Sequence, residues 1–515
     1  SYGSLSGSFK LPLQTLTGNF SIIAEKYNGT ANFNVEDYKR PTFFVEFDTL
    51  KSTYRLNDSI KITGAVKAYA GNNLDGAKIK FNVHRDTRFI YPWLFWRKIR
   101  PATSSQQIAQ GEIITDAEGK FEILFVAQPD RSVDSSGDPV FDFSIDAAVT
   151  DINGETRDGS TQLSVGYKSL QLQLSVPGIA DLNKFDTIGV TTENFSGNKV
   201  AANVKLNIYP LTVPTEIVRN RYWERPDQFV MPKDDYKRLF PYDEYADESD
   251  YHSWEKKASV FSGSVKTADS SFIKIAKGIL KQGWYAIEAV SKDKDGNEVK
   301  DVAYTALYDE QSASLPSPQI EWNAAIKTEG QPGEKAKLLL GTSDKDVYVI
   351  QQLQKNRDDK REDQYAYFKL SNQKQTIETE ITEQSRKGLG LYYAFVKHNR
   401  VYSGGINVYV PYTDKDLDVV YKTYRNKTEP GSKEQWTVEV KGNKGEKTTA
   451  ELLTAMYDAS LDQFKPHEWI LPDLWPVGYT NNSFLADDNF AAVNSEENNI
   501  QVNAPYFETI YNELA

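Results

Sequence analysis

Residues 34–48 read NVEDYKRPTFFVEFD, and this stretch decides how the rest of the chain is interpreted. After the proline, Phe43, Val45 and Phe47 alternate with the residues between them, so that the two sets face opposite ways with a period of two. Such alternation is typical of a β-strand that buries one face, and a similar alternation precedes the proline. The stretch therefore predicts two short strands separated by a proline.

Pro41 marks the point at which one strand gives way to the next. It cannot donate a ladder hydrogen bond, and its ring pushes Arg40 into an extended conformation. One strand is therefore expected to end near Asp37 and the next to begin near Thr42. Residues 38–41 would form a stiff joint between the strands. We interpret this as a boundary at which one β-domain passes the chain directly to the next.

The bulk composition limits the class of protein. At 515 residues the chain is too long for one core, so three or four domains are expected, and 39% hydrophobic and 26% charged residues are ordinary for folded protein. The net charge of -12 argues against a nucleic-acid partner, which needs a concentrated basic face. The chain has no cysteine, and no apolar run is long enough to span a bilayer.

Residues 41–166 contain a complete set of strand patterns. Short strands at intervals of roughly ten residues, separated by turn residues, are typical of a β-sandwich. The turns include Glu118-Gly119 and Asn153-Gly154, which favour tight reversals. The predicted strands cover residues 42–48, 59–68, 77–84, 107–114, 121–127, 141–150 and 161–166.

The same plan recurs along the chain, which predicts an all-β fold made of separate antiparallel sandwiches. Each sandwich would bury its own core, because the repeat is too long for a solenoid. The first residues already follow a strand pattern, so we expect a piece of a longer protein. The predicted division is residues 1–37 for the C-terminal part of one domain, 41–166 and 167–310 for two whole domains, 317–412 for another and 414–515 for the start of a further one.

Two insertions interrupt the strand patterns. Residues 91–96 read YPWLFW, and such an aromatic insertion either folds back on its own domain or forms a contact patch for a neighbouring domain. Residues 213–254 form a longer insert that is rich in Pro, Tyr, Asp and Glu. Its segment PKDDYKRLF predicts one or two helical turns. An insert of this length between strands is usually functional or interfacial.

Candidate metal ligands are scattered. The four histidines, His84, His252, His398 and His467, lie far apart in the sequence, and no two have metal-ligand spacing. His84 is expected at the end of a strand and His398 in a turn, so surface positions are favoured for these two. Residues 292–297 faintly resemble a calcium loop, but they lack the third acidic ligand and the final glutamate. A hairpin turn is therefore favoured over a calcium site, and we expect no metal.

Candidate catalytic groups are equally sparse. The sequence contains neither a G-x-S-x-G elbow nor a Gly-rich phosphate cradle. The acidic pairs Asp234-Asp235 and Glu496-Glu497 lie in polar surroundings, which favours a solvated surface over a pair of catalytic carboxylates. We therefore expect a chain that is not an enzyme and that binds no cofactor.

Several segments together resemble a known family. They are YKRPTF (38–43), YRLNDSIKITGAVKAYAG (54–71), TDINGETR (150–157), WERPDQFVMPKDDYKRLFP (223–241) and ELLTAMYDASLDQF (451–464), together with Pro-Gly turns at 332–333 and 430–431. Each motif alone is weak, but their order and spacing are specific and extend over essentially the whole chain. With them the chain resembles bacterial alpha-2-macroglobulins, in particular the large members from Bacteroidetes-type Gram-negative bacteria.

The resemblance implies serial macroglobulin domains, each an antiparallel β-sandwich of the fibronectin or immunoglobulin kind. It also implies that residues 455–461 form a strand of the domain into which a bait region is inserted. In this family a protease cleaves the bait, the protein rearranges, and the protease is trapped. Many members then capture the protease through a Cys–Gln thioester in a later domain. This chain departs from that pattern, because it has no Cys and so contains no thioester.

The tail, residues 476–515, is the candidate bait region. It loses strand periodicity and is rich in Asn, Asp, Glu, Ala and Ser. Polar sequence with scattered apolar anchors can enter a protease cleft as an extended peptide. Phe484, Leu485, Phe490 and Tyr506 would suit proteases with apolar specificity pockets. The tail is therefore either a bait or a loop that packs on a sandwich or on another subunit.

Two functions remain open. The resemblance implies a protease inhibitor that traps target proteases after bait cleavage, as a defence during colonisation, in the periplasm or at the outer-membrane surface of a Gram-negative bacterium. The alternative is a non-inhibitory scaffold of sandwich domains in an outer-membrane or cell-surface assembly. In that case the two insertions would be docking surfaces for outer-membrane proteins.

Overall fold

The structure is a computed structural model of the chain. It describes residues 10, 17–24, 29–35, 41–50, 52–69, 71–88, 105–135, 138–357, 360–425, 429, 431–443, 445, 448–454, 457, 462, 468–469 and 474–481. Within these residues the chain divides into two compact units, Ser1–Ile320 with Tyr412–Pro476 and Glu321–Pro411 with Val477–Ala515.

Strands dominate both units. In the first part of the chain the strands are β1 (Gly18–Ala24), β2 (Gly29–Val35), β3 (Phe43–Phe47), β4 (Ser59–Ala68), β5 (Lys78–Arg88), β6 (Gln106–Ile114), β7 (Lys120–Val126), β8 (Val140–Thr150), β9 (Thr156–Gly166), β10 (Gln171–Ser175), β11 (Ile179–Asp181), β12 (Thr187–Glu193) and β13 (Asn203–Pro210).

A short helix and thirteen further strands follow. They are α1 (Lys233–Leu239), β14 (Phe261–Lys266), β15 (Phe272–Lys274), β16 (Gly283–Lys292), β17 (Glu298–Tyr308), β18 (Trp322–Lys327), β19 (Lys335–Thr342), β20 (Val347–Arg357), β21 (Lys360–Leu370), β22 (Gln373–Glu380), β23 (Leu389–Lys397), β24 (Arg400–Asn407), β25 (Leu417–Thr423) and β26 (Thr437–Gly442).

The first sandwich comprises β3 to β9. Its two sheets have the strand orders β3-β4-β7 and β6-β5-β8-β9, and every pairing within them is antiparallel. The seven predicted strands of this region are confirmed, and β4 matches its predicted bounds at both ends. Strand β9 begins five residues before the predicted start at 161, because its polar first half pairs with β8 without burying apolar side chains.

The core of the first sandwich explains its alternating sequence. Phe43, Ile62 and Phe143 are completely buried and come from both sheets, and Val45 and Phe47 pack against the same cluster. Replacing one such isoleucine by alanine costs about 2–5 kcal/mol, which shows how strongly each face of a strand is specified. The predicted alternation in β3 is therefore confirmed as the alternation between core and surface.

The second sandwich comprises β10 to β17. A sheet of order β10-β12-β15 covers a five-stranded sheet of order β11-β17-β16-β13-β14, and a second apolar cluster lies between them. The predicted helical turn is confirmed as α1. Two strands of this sandwich, β11 and β15, have three residues each, which is too short to show a period. Strand β11 pairs with β17 in parallel.

One turn design recurs in these two sandwiches. An Asp or Asn begins a five-residue turn whose fourth residue is a glycine, and its side-chain Oδ1 accepts hydrogen bonds from the backbone N–H groups two and four residues later. The glycines have φ between 72° and 87°, where L side chains are strained. The turns lie at residues 116–120, 151–155, 194–198 and 293–297.

The other unit contains a third sandwich, β18 to β24, with the strand orders β18-β19-β22 and β21-β20-β23-β24. Tyr393 is completely buried between the sheets, and its hydroxyl donates to Glu321 Oε1 at 2.6 Å and accepts from Asn323 Nδ2 at 2.9 Å. Burial raises the pKa of the Glu321 carboxyl, and the hydrogen bond from Tyr393 offsets part of that rise.

The remaining strands form two hairpins. Strand β1 pairs with β2, and β25 pairs with β26, both antiparallel. The aromatic insertion at 91–96 lies outside the described residues. So does the predicted strand at 455–461, apart from Tyr457, which is not part of a strand. None of the helices in the described part of the chain is long and apolar enough to cross a membrane.

The turn at 293–297 makes a test of the turn design. Gly296 has φ 87° and open space around the position of an added Cβ, so Gly296→Ala should carry backbone strain alone. We expect a cost of about 1–2 kcal/mol, seen as roughly 5- to 30-fold faster hydrogen exchange in β16 and β17. Gly178→Ala is the matched control, because Gly178 also has open space but lacks a left-handed φ. Equal effects of the two variants would contradict the strain argument.

Candidate functional site

The first feature of functional interest is the joint between the first and second sandwiches. Strand β9 ends at Gly166 and β10 begins at Gln171, so residues 167–170 alone connect them. Ser169 and Leu170 within this link are buried. A link this short and this buried leaves little freedom for the two sandwiches to swivel about it.

A carboxylate holds the link in place. Asp293 Oδ2 accepts a hydrogen bond from the backbone N–H of Ser169 at 3.2 Å, while its Oδ1 closes the 293–297 turn. Burial by itself would raise the pKa of Asp293, but the hydrogen bonds from Asn297, Ser169 and Asp295 outweigh it and hold the pKa below its usual value. The carboxylate is therefore both the closure of a turn and an anchor for the link.

The same turn reaches across to the first sandwich. Lys294 Nζ donates to the backbone oxygen of Thr53 at 2.9 Å and lies 3.6 Å from Asp58. Arg55 Nε lies 3.5 Å from Asp58 and 3.6 Å from Asp295. Two positive and two negative side chains thus alternate across the joint. Partly exposed ion pairs contribute only about 0–1 kcal/mol each, so they orient the joint more than they stabilise it.

A second turn, residues 194–198, contacts other residues of the first sandwich. Asn198 Nδ2 donates to the oxygen of Leu50 at 2.6 Å, and Ser196 Oγ accepts from the N–H of Ser164 at 3.2 Å. The ring of Phe195 lies over Gly166, where a Cβ would come within 2.7 Å of it. Together the two turns surround the link, so the first two sandwiches are held as one body.

A related contact fixes the start of the first sandwich. Glu155, the last residue of the 151–155 turn, accepts from the N–H of Thr42 at 3.1 Å and from its hydroxyl at 2.9 Å. Burial alone would raise the pKa of Glu155, but the hydrogen bonds from Thr42 and Arg157 hold it below its usual value. Pro41 is buried, whereas residues 38–40 of the predicted joint lie outside the described residues.

The second feature is a strap on the outer face of the third sandwich, formed by residues 477–480. The N–H of Gly478 donates to the oxygen of Arg386 at 2.7 Å, and Asn356 Nδ2 donates to the oxygen of Tyr479 at 3.1 Å. Thr480 is almost completely buried. A four-residue segment is thus attached to the sheet along its length.

Thr480 makes the tightest contacts of the strap. Its N–H donates to Asn407 Oδ1 at 2.9 Å, and its hydroxyl donates to the same oxygen at 2.5 Å. Tyr392 Oη donates to the oxygen of Thr480 at 3.0 Å. Gly390 and Gly405 form the floor of this slot, since a Cβ on either would clash with the side chains of Thr480 or Tyr392. The strap therefore lies in a slot that fits it closely.

The third feature is the long insert at 213–254. Aromatic rings pack against one another in it, with centroid distances of 4.4 Å for Phe229 and Tyr245 and 6.0 Å for Trp223 and Phe240. They surround a cavity of about 190 Å³. Val230, at 96% exposure, projects into solvent at its edge. An exposed aromatic surface of this kind is suited to protein contacts.

Charged side chains connect distant parts of the insert through hydrogen bonds and ion pairs. Arg221 donates to the backbone oxygens of Tyr245 and Ala246, at 3.4 and 2.7 Å. Burial alone would raise the pKa of Glu248, but Lys233 and the N–H of Ala246 lower it to about 2. The insert is therefore an ordered element in which a few charged side chains, Arg221, Asp243 and Glu244, are turned inward while several apolar ones remain exposed.

Only some of the predicted site residues lie within the described part of the chain. Phe484, Leu485, Phe490 and Tyr506 all lie outside the described residues, so their role as bait remains a prediction. Glu496-Glu497 and His467 lie outside them too. Of the remaining acidic pair, Asp234 and Asp235 are exposed in the first turn of α1.

The described histidines are spread over separate elements. His84 lies inside β5 and not at its end, His252 Nδ1 lies 2.7 Å from Asp250, and His398 Nε2 lies 2.5 Å from Asp344. Residues 293–297 form the hairpin turn between β16 and β17. Within the described residues there is no group of three or more His, Asp or Glu that could hold a metal ion.

The comparisons with known proteins yield structural neighbours only. No protein-family model and no curated protein sequence matches the chain. Among solved structures, native Escherichia coli alpha-2-macroglobulin matches 84% of this chain at 10% identity and a TM-score of 0.29, and the trypsin-activated form matches 83% at 13% identity and 0.37. A Salmonella alpha-2-macroglobulin variant matches 92% at 11% identity and 0.30.

This chain spans 27%, 28% and 32% of the length of those three structures, respectively. At such identities and TM-scores these matches assign neither a family nor an activity to this chain. The fold itself is the one that the sequence predicts, an all-β string of antiparallel sandwiches.

The joint can be tested through its carboxylate. Asp293→Ala removes the acceptor of the buried Ser169 N–H, so we expect a local cost of about 1–3 kcal/mol and faster hydrogen exchange at residues 167–170. Asp116→Ala is the matched control, because Asp116 closes the same kind of turn without touching the link. If both variants expose the link equally, Asp293 does not anchor it.

The strap can be tested through its threonine. Thr480→Val keeps the shape but removes the hydroxyl that Asn407 accepts from, so we expect a loss of about 1 kcal/mol and roughly fivefold faster exchange at residues 477–481. Thr376→Val, on the exposed face of β22, is the control and should leave the strap unchanged. Unchanged exchange in Thr480→Val would show that the slot does not hold the strap.

Proposed function

We propose that this chain is part of a bacterial protease trap of the alpha-2-macroglobulin kind, in which residues 476–515 serve as the bait. The family-like motifs along the sequence support this proposal. The chain itself acts without catalysis, as a set of bodies that rearrange after the bait is cut. Its partners are the target proteases.

The strap is the observation that carries the proposal. Cutting a segment moves a protein only if the ends of that segment are attached to folded bodies, because a free end transmits no force. Thr480 is attached to the third sandwich four residues before Phe484, the first predicted cleavage position. A cut after the strap therefore leaves the strap attached to the third sandwich and separates it from the rest of the tail.

The joint supports the same mechanism. Because two turns and a buried link connect the first and second sandwiches, they move together when the molecule rearranges. A string of independently swivelling domains would dissipate such a movement, whereas a rigid pair transmits it. The two sandwiches connected by the joint would be the rigid part of the proposed protease trap.

The composition of the tail defines which proteases are relevant. Residues 466–515 contain neither Lys nor Arg, while apolar residues are spaced along them. Proteases that require a basic residue at the cleaved bond therefore find no site in the tail. The proposed targets are proteases with apolar specificity, met in the periplasm or at the outer-membrane surface of a Gram-negative bacterium of the Bacteroidetes type.

The exposed insert favours a second candidate function, a non-inhibitory scaffold. Trp223, Phe229 and Phe240 are each about two-fifths exposed or more, and Val230 is almost fully exposed. Such a surface would bind a protein partner, in this case an outer-membrane protein. In the scaffold, cleavage of the tail would leave the shape of the molecule unchanged.

Limited proteolysis of the full-length protein tests the trap. A protease with apolar specificity should cut between residues 476 and 515, and scattering should then show a smaller radius of gyration. Replacing Phe484, Leu485, Phe490 and Tyr506 together by Ser should slow cutting at these four positions at least tenfold, because the apolar pocket of the protease loses its ligands there. A protease specific for Lys and Arg serves as the control.

Two outcomes would contradict the trap. In the first, the apolar-specific protease cuts only outside residues 476–515. In the second, it cuts there but the radius of gyration stays the same, which is the result expected of the scaffold.

A further inference from the structure

The outer face of the sheet β21-β20-β23-β24 exposes an unusual number of apolar side chains. Tyr348, Tyr367 and Val396 are 69%, 75% and 67% exposed, and Ile350, Tyr365 and Val401 are at least 38% exposed. We call these six residues the outer patch. Soluble proteins rarely leave so many aromatic and β-branched side chains together in water, so the patch points to an interaction surface.

The register places the whole patch on one face. Ile350 pairs with Tyr367 on one side and with Ala394 on the other, and residues directly opposite in an antiparallel sheet share a face. Two residues along β23 from Ala394 lies Tyr392, whose hydroxyl binds the strap. The outer patch and the strap therefore occupy neighbouring rows of the same surface.

The strap runs towards the patch. Gly478 contacts Arg386, just before β23, while Thr480 lies over Gly390 farther along that strand. The chain thus advances in the direction of Val396. From Thr480 to Phe484 an extended chain covers about 13 Å, which is also the length of β23 from Gly390 to Ala394, the residue opposite Ile350 of the patch. Phe484 and Leu485 can therefore reach the patch without a detour.

Charge at the far end of the sheet fits the same path. Lys345, Lys369, Lys397 and Arg400 lie at the end towards which the strap advances, against Asp344 and Asp346. Residues 482–490 read NSFLADDNF and carry two aspartates and no basic residue. The excess of positive charge would attract this acidic segment once its apolar residues have docked.

We propose that the outer patch is the docking surface for residues 482–490 of this chain, which continue the strap across the sheet and place Phe484 and Leu485 against the exposed tyrosines. The apolar side chains on both sides leave water, and the strap holds the segment at high effective concentration. The docking rests on the strap and the patch, and it stands whether or not the tail is a bait.

Cross-linking in the 515-residue chain tests the docking, because this chain contains no Cys and each introduced thiol is therefore unique. Ala486→Cys is combined with Ser403→Cys, which lies on the outer face beside Ala394, or with Ala366→Cys, which is exposed on the opposite face. These positions leave the patch and both apolar residues of the segment intact. With a short bismaleimide we expect at least tenfold more intramolecular product for the first pair.

A second comparison tests the apolar contact itself. Adding Phe484→Ser and Leu485→Ser to the first pair should lower its cross-linking at least fivefold, since nothing then draws the segment onto the patch. Equal yields for the two pairs, or no effect of the serines, would overturn the proposal. So would a predominance of cross-linked dimers, which would assign the patch to a second copy of the chain.

Discussion

A side chain that closes its own turn is the interaction on which much of this structure depends. In four places an Asp or Asn accepts two backbone N–H groups from the residues that follow it, and a glycine in the left-handed region completes the reversal. Each closure needs only five consecutive residues, so it forms without help from the rest of the fold. The sheets of the first two sandwiches are reversed and spaced by these local units.

The same turns also connect the sandwiches. At residues 293–297 the second carboxylate oxygen of Asp293 accepts from Asn297 Nδ2 within the turn and also from the N–H of Ser169 in the link, while Lys294 and Asp295 face the first sandwich. The individual energies are small, about 1 kcal/mol for a hydrogen bond and less for an exposed ion pair. Their effect comes from number and position, because they surround a short buried link. A mechanical function needs this stiffness more than it needs affinity.

The joint and the strap differ in how they are held. The joint uses polar contacts between ordered turns, whereas the strap lies in a slot whose glycines leave space for Thr480 and Tyr392. A slot of this kind is specific for shape, so the strap has one position along the sheet. Beyond it the outer patch leaves apolar surface in water. With the strap and the patch, the third sandwich can bind an extended segment of the chain. A protein that carries a bait would use this property.

The strands could be predicted from the sequence because a half-buried strand shows its two faces as a period of two, as in the run from Phe43 to Phe47. The short strands β11 and β15 could not, since three residues show no period and their pairing is decided by the neighbouring strands. The exposed character of the insert was suggested by its length and composition. Its inward-facing charges, such as Arg221, were not, because their partners are more than twenty residues away.

The sequence by itself determined the all-β class, the strand faces and the turns, because all three depend on residues that are close together along the chain. The tertiary structure alone decided that Asp293 would meet Ser169, 124 residues away, and that Thr480 would meet Tyr392, 88 residues away. Nothing in the neighbouring sequence distinguishes these two buried residues from the Asp and Thr residues that lie at the surface. Their roles arise only when folding brings distant segments into contact.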